Sequence, residues 1–215
     1  KNIDNCYFFE FGAWDGIHLS NCRLLFENNW SGCFVESDKK KFKDLKSNYK
    51  DNSNIILIND KIDPDTKDKW GVPVTLQLAF IKQESSFQKN AKPPRNKLFG
   101  VIPSKRASSA YGYSQALDGT WEDYKKSTGR ISASRKNFRD ASDFIGWYID
   151  GSYRLLKLSK TDVYNHYLAY HEGRGGFQKK TYNNKKWLLN VAKKVKKQAL
   201  TYTKQINSCK LSKNK

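Results

Sequence analysis

The 215-residue sequence contains no methionine, not even at position 1, so the chain is expected to begin inside a longer or processed product. Nowhere do 18 apolar residues run together, which excludes a membrane-spanning helix, and no basic-then-apolar leader is seen at Lys1. Cysteine is scarce. Cys6, Cys22, Cys33 and Cys209 lack the close pairing of zinc sites, so neither a structural metal nor a disulfide framework is expected. Internal repeats and Gly/Ser- or Pro-rich linkers are also missing. Acidic residues are outnumbered: 40 Lys+Arg face 21 Asp+Glu, a formal net charge of +19.

Hydrophobic residues at 38% and aromatics at 14% supply material for a core despite a mean hydropathy of −0.81, so the chain is expected to fold. Its charge is uneven. Residues 1–60 carry 8 Lys+Arg against 9 Asp+Glu, whereas the other 155 carry 32 against 12. A field of that size attracts nucleic acid, anionic membrane or an acidic cell-wall polymer; it also fits a lysine-rich solvated surface.

The acidic opening reads as strand at Cys6–Phe11, a turn at Gly12–Gly16, and a short helix capped by Ser20 and running to about Asn28. A strand at Cys33–Glu36, an amphipathic helix at Lys39–Tyr49 and a strand at Ile55–Ile58 follow, the order of half a doubly wound sheet. The runs Phe9-Glu10-Phe11-Gly12-Ala13-Trp14-Asp15-Gly16 and Phe34-Val35-Glu36-Ser37-Asp38 resemble the start of an FkbM-like, S-adenosylmethionine-dependent methyltransferase. The resemblance implies that Gly12 approaches the cofactor and Glu36 accepts from its ribose. It covers about residues 6–60 only, and the substrate-binding half is missing. Residues 1–62 are therefore read as an incomplete Rossmann-like α/β segment, a remnant or fusion scar, with S-adenosylmethionine a cofactor only if that segment is functional.

The join lies near Lys61-Ile-Asp-Pro-Asp-Thr66, where Pro64 suits a helix start, and the pattern then turns helical. Leu76, Leu78, Ala79, Phe80 and Ile81 give the stretch Val74–Gln83 a broad apolar stripe, with Glu84 at its end. There the negative pole of the helix dipole and a low-dielectric wall both favour the protonated carboxyl, the form that can donate to a glycosidic oxygen. An ordinary exposed helix-end residue is the other reading. Further helices are expected at Asp140–Leu156, burying Phe144, Ile145, Trp147, Tyr148 and Leu155, at Asp162–Tyr170 behind a Thr161 or Ser159 cap, and at Asn190–Lys204. The lysines of the last either solvate a packing helix or hold the chain to anionic polymer or lipid headgroups.

Three blocks then fall in order: Glu84-Ser85-Ser86-Phe87, Ala110-Tyr111-Gly112-Tyr113-Ser114-Gln115, and Ala169-Tyr170-His171-Glu172-Gly173. Together they resemble the signature blocks of SLT-type lytic transglycosylases, relatives of goose-type lysozymes. The resemblance spans about residues 66–208, so residues 63–215 are expected to form a mainly α-helical, lysozyme-like domain. A Trp70-Gly71-Val72-Pro73 lead-in together with the second block is similar to an envelope-lipoprotein branch of the family. By that resemblance Glu84 matches the catalytic acid, Ser85 lines the site, Gln115 contacts the sugar, and Tyr170 steadies the reacting region. Tyr113 and Ser114 stand where leucine and methionine are usual, and His171 and Glu172 where asparagine and alanine are usual; of these, the resemblance assigns Tyr113, His171 and Glu172 to substrate binding.

The implied reaction cleaves the β-1,4 bond between N-acetylmuramic acid and N-acetylglucosamine and leaves a 1,6-anhydro end, using one carboxylate. After Glu84 the next acid is Asp118, which agrees. Glu172 is the rival acid; its other reading is to orient Tyr170 or meet Arg174. His171 either bonds substrate or is an ordinary surface imidazole, and no second histidine completes a zinc helix. Trp121, Trp147, Tyr148 and Tyr153 either stack on sugars or fill the core. Ser85 lacks the nearby histidine and glycine elbow of a nucleophile. Peptidoglycan strands, in the periplasm or cell envelope, are the expected partner; a non-catalytic polyanion-binding module is the alternative, and nucleic acid is not expected because no reading motif is present.

Overall fold

The computed structural model describes residues 7–18, 20, 22–60, 69–98, 102–106 and 108–212. Two compact units result, Lys1–Ile62 with Ser208–Lys215, and Asp63–Asn207. The join at Lys61–Thr66, with Pro64, lies outside the described residues, as does Cys6.

In the smaller unit β1 (Tyr7–Phe11), α1 (Arg23–Glu27), β2 (Ser31–Val35), α2 (Lys39–Tyr49) and β3 (Ile55–Ile58) alternate. The strands pair in parallel in the order β1-β2-β3, with Phe9 opposite Cys33 and Cys33 opposite Ile56. Phe8, Phe34, Leu45, Tyr49 and Ile55 form one buried cluster beneath them. Asp38 caps α2 by accepting from the backbone of Lys40 and Lys41. Ser20 does not cap α1 as expected: its hydroxyl donates to Glu10 Oε2 at 2.7 Å, and Cys22 occupies the cap position without a side-chain capping bond.

The larger unit is built on α3 (Val74–Ser85), in which Leu76, Gln77, Leu78, Ala79, Phe80 and Ile81 are all buried. Six consecutive buried residues cover every face of a helix, so α3 is central, and each large side chain there contributes about 2 kcal/mol on burial. The unit also contains α4 (Asp118–Thr128), α5 (Phe138–Leu156), α6 (Val163–Gln178) and the part of α7 (Lys186–Ser212) up to Asn207, with α5 packed against α3, α4 and α6. A hairpin of β4 (Arg95–Leu98) and β5 (Ile102–Arg106) intervenes after α3. Buried Asp143 on α5 accepts from the Trp70 indole at 2.9 Å and the Tyr124 hydroxyl at 2.7 Å, and Lys69 and Arg130 neutralise it. That ties the Trp70-Gly71-Val72-Pro73 lead-in to the helical body.

Several helical details depart from expectation. Leu155 is 57% exposed, because the last turn of α5 leaves the packed face. Asp162, rather than Thr161 or Ser159, caps α6 by accepting from Asn165 N. That helix continues past Tyr170 to Gln178, bending at Gly173 (φ 72°, ψ 158°), and α7 is much longer than Asn190–Lys204.

Candidate active site

Glu84 occupies the last turn of α3, followed by two non-glycine residues in left-handed conformation, Ser86 (φ 49°) and Phe87 (φ 61°). Such residues each cost about 1 kcal/mol or more and persist where packing overrules them; here Phe87 is 2% exposed. The chain thus reverses directly behind the carboxyl. Dense protein desolvates the Glu84 charge, although the residue itself remains only partly buried. Burial pushes its carboxyl from 4.5 up to about 7, while the hydrogen bond from Tyr167 pulls the other way.

Helix α6 joins all three blocks. The Tyr167 hydroxyl donates to Glu84 Oε1 at 2.8 Å, and one turn later the Tyr170 hydroxyl donates to the Ser114 carbonyl at 2.6 Å. Phe80 of α3 meets both rings edge-on, at 5.2 Å from Tyr167 and 5.3 Å from Tyr170, and Tyr148 lies 5.0 Å from Tyr170. Burial raises both phenols far above their ordinary range, and the neighbouring Glu84 adds to this, so both remain protonated donors. These rings form an aromatic wall beside Glu84, whose charged form burial disfavours.

The other expected site residues serve differently. Ser85 is buried and its hydroxyl donates back to the Ile81 carbonyl at 3.0 Å. Gln115, itself left-handed at φ 50°, donates its amide nitrogen to the Ala91 and Gly112 carbonyls at 2.9 and 2.8 Å, so a sugar contact from it would use Oε1. Tyr113 is buried with its ring 5.3 Å from Phe138. His171 is exposed and lies edge-on to Trp187 at 5.1 Å. Glu172 neither orients Tyr170 nor meets Arg174: it binds Lys185 at 2.8 Å, His171 at 3.0 Å, and Thr181. Burial opposes its ionisation, but those hydrogen bonds hold its carboxyl down at about 2, a poor proton donor. Arg174 instead donates to the Tyr148 carbonyl at 2.9 Å and to Ser152. Trp121 and Tyr148 are core residues, Trp147 is half-buried, and Tyr153 is 45% exposed.

Tyr167 lies outside the three sequence blocks. Its signal is spacing: it stands three residues before Tyr170 and so shares a helix face with it.

In the smaller unit Gly12 turns at φ 65° and donates to the Val35 carbonyl at 2.8 Å. Glu36 is buried, with Oε2 accepting from Trp14 N and Oε1 from Asp38 N, both at 2.8 Å. Each carboxylate oxygen thus already accepts one bond from the chain's own turn.

No curated protein and no solved structure gives a significant match to the chain. Residues 22–209 match the Transglycosylase SLT domain family, a stretch that begins well before residue 66 and runs through most of the segment read as methyltransferase-like. The chain belongs to the Transglycosylase SLT domain family, a family of peptidoglycan enzymes that cleave glycosidic bonds.

Proposed function

We propose that the protein is a lytic transglycosylase of the bacterial cell envelope, cutting the β-1,4 bond between N-acetylmuramic acid and N-acetylglucosamine with Glu84 as its single catalytic carboxyl. Protonated Glu84 gives its proton to the bridging oxygen as the bond from that oxygen to the muramyl anomeric carbon breaks. The resulting carboxylate takes the proton of the muramyl 6-hydroxyl, whose oxygen bonds to the same carbon. The 1,6-anhydro sugar leaves without consuming water, and Glu84 regains its proton.

The observation that carries this reading is a carboxyl raised to about 7, bonded to Tyr167 against an aromatic wall. Such a group is half acid and half base near neutrality, which suits one residue performing both transfers. Digestion of purified sacculi followed by mass spectrometry tests it. Anhydromuropeptides are expected from the wild type and none from Glu84→Gln. Equal, negligible release from both would instead favour a non-catalytic polyanion-binding module.

A further inference from the structure

We propose that Tyr167, outside the three blocks, is the positioning residue that decides which oxygen of Glu84 carries the acid proton: its hydroxyl donates to Oε1 at 2.8 Å and leaves the proton on Oε2. The inference rests on Glu84 being the acid. A neutral carboxylic acid has one protonated oxygen and one that only accepts. The Tyr167 side chain is buried, and among the described residues Glu84 is the acceptor found for its hydroxyl. Were Oε1 the protonated oxygen, that phenolic hydrogen would lose its acceptor in a buried place. Tyr170 cannot substitute, because its own hydroxyl is held by the Ser114 carbonyl at 2.6 Å.

The bond serves both halves of the reaction. While Glu84 is neutral it directs Oε2 toward the substrate oxygen; once the proton has left, the same bond becomes charge-assisted and stabilises the carboxylate that must accept the 6-hydroxyl proton. Tyr167 keeps its proton throughout. Phe80, edge-on at 5.2 Å, fixes the ring so that the hydroxyl cannot swing away. The titratable groups found against Glu84 are phenols, Tyr167 and Tyr170 on α6.

Tyr167→Phe keeps the ring and removes the donor. Following the Glu84 carboxyl by 13C NMR, the titration midpoint is expected to rise by about one pH unit, since a bond favouring the charged form is lost. The basic limb of the kcat profile should follow it, with kcat at pH 6 down about tenfold and KM within about twofold. Placing 3-fluorotyrosine, a stronger donor, at position 167 should move the midpoint the opposite way, and this second variant preserves the test if the first fails to fold. Tyr170→Phe should leave the midpoint in place. An unmoved midpoint in both position-167 variants overturns the role of Tyr167. Activity retained by Glu84→Gln would instead remove the catalytic reading beneath it, so the two failures are distinguishable.

Discussion

Replacing Glu84 by glutamine should stabilise the protein at alkaline pH while abolishing turnover. The carboxyl titrates at 4.5 when unperturbed and at about 7 in the fold. Because the folded value is the higher, the folded state holds the proton more tightly, and stability falls as pH rises from 4.5 through about 7. The full penalty for such a shift is about 3 kcal/mol at pH 8 and under about 1 kcal/mol at pH 5. Solvent contact of the partly buried carboxyl trims the larger figure to about 2 kcal/mol. Glutamine removes the penalty and keeps an oxygen to accept from Tyr167. For a unit of this size the gain corresponds to a melting temperature about 4–8 °C higher than wild type at pH 8, and about 1–2 °C higher at pH 5. Thermal unfolding of the full chain, followed by circular dichroism at both pH values, reads this directly. A difference that does not grow with pH, or a variant less stable than wild type at pH 8, refutes a carboxyl kept neutral by burial.

Three further outcomes follow from the same geometry. Wild-type kcat/KM on sacculi should decline above about pH 7, where Glu84 loses the proton that the proposed mechanism requires; a profile flat to pH 9 contradicts this. Glu172→Gln should show the converse of Glu84→Gln: the depressed carboxyl contributes stability above its unfolded value that is lost as pH falls toward about 2, so the variant should lose about 2 kcal/mol at pH 7 in chemical denaturation while folded-protein activity stays within about threefold. Gly112→Ala should unfold the larger unit or cost more than about 3 kcal/mol, because the residue sits at φ 73° and a Cβ would drive into the Arg135 carbonyl. A melting temperature within 2 °C of wild type, against the 2–4 °C expected per kcal/mol, would refute it.

Much of this site was legible because its first half is local. The apolar run from Leu76 to Ile81 announces a buried helix, and Glu84 follows within the same turn pattern. The partner of that carboxyl was not legible. Tyr167 lies 83 residues away, and only tertiary packing decides that it, rather than the block tyrosine Tyr170, reaches Oε1. Family blocks name the neighbourhood but not the atom. The expected end of α6 at Tyr170 lies just before a true break, since Gly173 (φ 72°, ψ 158°) leaves the helical region and a further helical stretch runs on to Gln178. The β4–β5 hairpin carries little sequence signal, because Arg95–Leu98 and Ile102–Arg106 lack a period-2 apolar alternation and Pro103 sits inside a strand. In the smaller unit the three strands stand where their apolar runs lie, whereas Glu36 serves the backbone turn, a use no side-chain pattern announces.

The loop of the second block is closed on itself by bonds that span distant stretches. Gly112 N donates to the Ala91 carbonyl and Tyr113 N to that of Arg135, the Arg135 guanidinium grips the Ser109 and Ala116 carbonyls, and Gln115 doubles the link to Ala91. A loop tied this way has little disorder to surrender, so in the proposed reaction affinity for a glycan would reflect contact rather than the freezing of a mobile strap. Loosening it at Arg135, whose guanidinium bonds to Ser109, Ala116 and Asp118, should therefore weaken substrate capture more than proton transfer at Glu84.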